Sequence, residues 1–65
     1  MKVFIEKENK LLELDEKQIS GDQLLKKLKI NPSEVLIIRN GEVILSEENL
    51  NNSDEIKILS VISGG

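Results

Sequence analysis

Few side chains in this sequence are suited to chemistry. Two acidic pairs stand out, Glu47-Glu48 and Asp54-Glu55, each in a polar stretch. Paired carboxylates can hold hard cations or act as acid and base, but such sites draw on further ligands converging from elsewhere. There is no His and no Cys. The commonest metal ligand, the usual general base near neutral pH and every thiolate are therefore missing. The pairs read as solvated loop carboxylates, and neither a catalytic residue nor a metal site is predicted. One group remains. The sequence finishes Val61-Ile62-Ser63-Gly64-Gly65, and glycine packs no side chain and holds no fixed conformation. The carboxylate of Gly65 reads as the working group, with the rest of the chain presenting it. At average composition two glycines in the last two positions arise in roughly one chain in two hundred. The pair gains its weight from the strand directly before it.

Composition narrows the classes further. Sixty-five residues make a single domain, 1–65, with residues 63–65 as a flexible tail. Without disulfides its stability must come from packing Ile, Leu and Val. The lack of Cys fits a reducing compartment, and a cytoplasmic location is expected. The apolar run at the start is too short for a signal peptide, and no stretch is long enough to span a membrane. Nine basic and twelve acidic residues give a net charge of −3. The densest basic run, Lys26-Lys27-x-Lys29, alternates with Leu25 and Leu28 as the wet side of a helix would. With one aromatic residue the chain lacks a nucleic-acid footprint, and nothing points to a membrane surface.

The elements that must position the tail follow from periodicity. Residues 2–7 alternate as a strand, with Val3 and Ile5 on one face and Phe4 on the other. Glu8-Asn9 then turns the chain into a second strand over 10–15, Leu12 and Leu14 inward. Ser20 with Gln23 matches a capping box, and Ile19 with Leu24 matches the hydrophobic staple beside it. Leu24, Leu25 and Leu28 then form one helical stripe. A helix of about ten residues is predicted, ending by Ile30 because Asn31 precedes Pro32. A strand over 34–39 leads into Asn40-Gly41, a strong hairpin signal because both turn positions need positive φ. The return strand 42–45 is read with Val43 and Leu45 inward. A polar loop follows, in which Leu50 tucks under the sheet, and a last strand runs from Asp54 to the tail. The order is β-β-α-β-β-β, an α+β layer pair of one mixed sheet and one helix.

These residues resemble the ubiquitin-like β-grasp superfamily. The opening M-K-V-F-I-E-K is similar to the first strand of ubiquitin, with its outward Phe. The stretch from R-N-G-E-V-I to D-E-I-K-I-L-S-V-I-S-G-G more narrowly resembles the ThiS/MoaD sulfur carriers, and the likeness covers the whole chain. One departure is Asn52-Ser53-Asp54, where the family usually has Asp-Gly-Asp. The resemblance implies that a ubiquitin-activating-type adenylating enzyme uses ATP to convert the carboxylate of Gly65 to an acyl-adenylate. Sulfur then replaces the adenylate to give a thiocarboxylate, which a sulfur-accepting synthase consumes for thiamine thiazole, molybdopterin or tRNA thiolation. The V-I-S-G-G ending leans toward the thiamine type. Such a chain is a carrier and not an enzyme, binds no cofactor itself and is a monomer when free.

Glycine at 64 and 65 lets backbone enter a narrow channel and approach the nucleotide closely, and the small Ser63 follows. Binding energy must then come from elsewhere. By alternation Phe4, Leu36, Ile38 and Leu59 point away from the helix, and a contiguous apolar face of this kind marks an interaction surface. In the family, the position matched by Leu59 packs against the partner, and Ile38 matches the outward Ile of ubiquitin's recognition patch. Two further readings stay open: a ubiquitin-like modifier joined through Gly65 to lysines, and a β-grasp binding domain using its sheet face alone.

Overall fold

The computed structural model describes residues 1–61. Five strands form one mixed sheet in the order β2-β1-β7-β4-β5. They are β1 (Lys2–Ile5), β2 (Lys10–Glu13), β4 (Val35–Arg39), β5 (Glu42–Ile44) and β7 (Glu55–Ser60). Two short strands, β3 (Gln18–Ser20) and β6 (Asn49–Asn51), pair separately. One helix, α1 (Gly21–Lys27), completes the layer pair. Neighbours in the main sheet run antiparallel except β1 and β7, which are parallel. The central strand is β7.

The inner face carries Val3, Ile5, Ile37, Ile56 and Ile58, all buried, and joins Leu24 and Leu25 of the helix in one core. Leu12, Leu14, Val35 and Ile44 pack half-buried around it. Leu50 is fully buried as predicted. It reaches the core from a strand rather than a loop, since Ile19 and Leu50 face each other across the β3–β6 ladder. Ile19 is thus a core residue as well as the residue before the cap.

The helix begins as the sequence predicts. The Ser20 side chain accepts from the Gln23 N–H at 3.2 Å, and the Gln23 side chain accepts from the Ser20 N–H at 3.3 Å. It ends earlier than expected, after seven residues, and Pro32 is not the cause. Lys29 turns left-handed with φ 60°. Its N–H donates to Lys26 O, and the Ile30 N–H donates to Leu25 O, closing the last turn. Those two bonds make a Schellman motif with Lys at the position that favours glycine. Lys29→Gly is therefore expected to raise stability by about 0.5–1 kcal/mol, relief of left-handed strain outweighing glycine's greater entropy when unfolded. Urea unfolding of the two proteins checks this.

The first turn also differs from its prediction. β1 stops at Ile5, and a 3-10 turn over Glu6–Glu8 is closed by Asn9 at φ 49°. The Asn40-Gly41 turn forms as predicted, with φ 51° and 87°. Its consequence corrects the reading of the return strand. A two-residue turn pairs Arg39 with Glu42, Ile38 with Val43 and Ile37 with Ile44. Opposed residues share a face, so Ile44 follows Ile37 inward. Val43 turns outward, 62% exposed, and Leu45 lies past the strand, 63% exposed.

Candidate functional site

On the outer face the ladders align one residue from each strand. Leu11 pairs with Phe4, Phe4 with Lys57, Lys57 with Ile38, and Ile38 with Val43. This row crosses all five strands and is apolar except at its centre. Leu36 and Leu59 pair beside it, nearer the end where β7 stops. Phe4, Ile38 and Leu59 are half-buried, and Leu36 is 41% exposed. The face holds all four residues that alternation assigned to it. It also holds Leu11 and Val43, both 62% exposed, which the sequence reading did not place there. For Val43 the signal was available in the parity of the two-residue turn. Leu11 needed only its alternation with Leu12.

The start of β7 is fastened to the β4–β5 turn. Asn40 is the clasp: its Nδ2 donates to Asp54 Oδ1 at 3.1 Å, and its Oδ1 accepts from the Glu55 N–H at 2.9 Å. Asp54 Oδ2 accepts from the Asn51 N–H at 2.9 Å. This last bond holds the Asp54 carboxyl below its ordinary value of 3.8. Burial opposes the shift, while the Asn40 amide and the Arg39 charge add to it. The Asn52-Ser53-Asp54 turn thus keeps its last carboxylate in use. A lowered folded pKa means that the stabilisation is complete above the unfolded value and is lost as pH falls through the folded value. The gap in urea midpoint between the native chain and Asp54→Asn is therefore expected to close below about pH 4.

In the other acidic pair it is Glu48 that is engaged. Glu48 Oε2 accepts from the Leu45 N–H at 3.0 Å, and Oε1 lies 3.6 Å from Arg39. Arg39 in turn donates to Asn49 O at 2.9 Å. These contacts hold the 45–49 loop in place. Among the described residues no cluster of His, Cys, Asp or Glu is arranged to hold a metal. No helix there is long and apolar enough to cross a membrane.

The chain leaves the sheet from its central strand. The Val61 N–H donates to Glu34 O at 2.9 Å, so the last described residue is still tied to the residue before β4. Ser63, Gly64 and Gly65 lie outside the described residues. The exit therefore lies at the end of the sheet nearest the Leu36–Leu59 pair.

Comparison with known proteins matches this arrangement. A model of the ThiS family matches residues 3–65. Among solved structures, the crystal structure of the thiamine biosynthesis protein ThiS from Geobacter metallireducens is similar, with a TM-score of 0.68 and 22% identity. The match covers 100% of each chain, and at that identity it shows the shared β-grasp fold. No curated protein matches the sequence. The family model takes in nearly every residue, and the chain belongs to the ThiS family of ubiquitin-like sulfur carriers.

Proposed function

We propose that this chain carries sulfur for thiamine biosynthesis on the carboxylate of Gly65. The observation that supports this most directly is the reach of the family model, which runs through Ser63 and Gly64 to Gly65. The carboxylate displaces pyrophosphate from ATP in the active site of an adenylating enzyme and becomes an acyl-adenylate. A sulfur donor then displaces AMP, and the resulting thiocarboxylate passes to a sulfur-accepting synthase. Each step uses the partner's catalytic groups. The chain contributes a tail thin enough to enter the partner and a surface that holds it there.

That surface is the outer face around Phe4, Leu36, Ile38 and Leu59. Its apolar residues lie on the β7 strand that leads to the tail and on its neighbours β1 and β4. Binding there holds the chain at the partner without any contact to the reacting atoms, which is how remote binding energy assists a reaction. The purified adenylating enzyme of the same host is expected to release pyrophosphate from ATP in proportion to the chain supplied. The chain lacking Gly64 and Gly65 is expected to release none. Equal release from both would overturn the proposal.

A further inference from the structure

Lys57 sits at the centre of the outer face with apolar residues on both sides. Its cross-strand neighbours are Phe4 and Ile38, and Leu11 and Val43 extend the row beyond them. The neighbouring lysine on this face is placed differently. Lys2 has acidic cross-strand neighbours on both sides, Glu13 and Glu55, where Lys57 has apolar ones. Glu55 is also two residues from Lys57 along β7, but the ion pairs among the described residues are Lys27–Glu16 and Arg39–Glu48. Neither involves Lys57.

A partner that covers this row must remove Lys57 from water. An ammonium desolvated against apolar surface is strongly unfavourable without a counter-charge. A second copy of this chain is a poor occupant. A symmetric dimer centred on the row places the same patch against itself, and so brings Lys57 against Lys57. The occupant fits when it offers an apolar surface with a carboxylate near its middle.

We infer that Lys57 is the specificity-determining residue of the outer face and that it pairs with an Asp or Glu set in apolar surface on the adenylating enzyme. The inference rests on the carrier reading above, since that reading supplies the partner. Leu11, Phe4, Ile38 and Val43 surround the pair and keep water from it. The apolar ring gives area, and the single charge fixes register and rejects partners that lack an acid there.

The test uses full-length chains and the host's purified adenylating enzyme, with pyrophosphate release as the readout. Lys57→Glu is expected to raise the KM for the chain by at least about tenfold with kcat little changed, because it sets carboxylate against carboxylate. Lys57→Arg is expected to stay close to native. Thermal unfolding of each variant, on an exposed position, is expected to match the native chain. An unchanged KM for a folded Lys57→Glu chain would overturn the inference and leave the carrier reading standing. A rise in KM that Lys57→Arg shares equally would also overturn it, since the charge would not be what is read. No pyrophosphate release with the native chain would overturn the carrier reading, and the inference with it.

Discussion

Gly65→Ala is expected to lower kcat/KM for adenylation by about a hundredfold, the scale of loss that a small misplacement of a reacting group produces. The added methyl group stands on the carbon next to the carboxylate that must meet the nucleotide. A channel that admits bare backbone closes around atoms glycine lacks, so the carboxylate stops short of the phosphorus. The fold should not notice. The core is built from residues between Met1 and Ile58, and the last hydrogen bond tying the described chain down is made by the Val61 N–H. Initial rates of pyrophosphate release measure the first effect, and urea unfolding measures the second. A variant that adenylates at the native rate would mean that the tail is not threaded in a tight channel.

Gly21→Ala is expected to do the opposite and damage the fold. Gly21 is buried at the first position of α1, against the loop between β5 and β6. A Cβ built there meets Ser46 O at 2.5 Å and Ile37 Cδ1 at 2.7 Å. The isoleucine tip can move, but the carbonyl is backbone and is in use. The Asp22 N–H donates to Ser46 O at 2.6 Å, and the Gly21 N–H donates to Glu48 O at 2.9 Å. Making room stretches both bonds and shifts Ile37, a core residue. The combined cost is about 2–3 kcal/mol. A domain this small has only about 3–5 kcal/mol to lose, so the melting temperature should fall by about 10 °C or more. A drop below about 0.5 kcal/mol in urea unfolding would mean that the loop is free to move off the helix.

The parts of this fold that local chemistry dictates were legible in the sequence. Ser20 and Gln23 cap the helix because their side chains satisfy N–H groups three residues apart. Asn40-Gly41 turns because both positions accept positive φ. Val3, Ile5, Ile37, Ile56 and Ile58 face inward because strand alternation leaves them no other face. The misreadings have physical causes as well. Gln18–Ser20 and Asn49–Asn51 carry one apolar residue each among polar neighbours, so their pairing shows only when the chain brings them together. Lys29 ends the helix in a conformation that residue type alone does not suggest. Alternation alone leaves Val43 and Leu45 free to be read as the inward set, whereas the two-residue turn before them sets their face outward. The site follows the same division. Phe4, Leu36, Ile38 and Leu59 could be placed on one face by alternation. The row through Lys57 could not, because it depends on the register of four strand pairings at once. Ser63, Gly64 and Gly65 remain as the sequence presents them.

The central claim is that Gly65 carries sulfur, and intact mass spectrometry tests it most directly. The chain is incubated with host extract, ATP and a sulfur donor, and its mass is compared with that of the chain lacking Gly65. The account predicts a gain equal to replacing one oxygen by sulfur, present in the full chain and absent from the shortened one. An unchanged mass for the full chain, in extract shown to modify a known carrier, would contradict it.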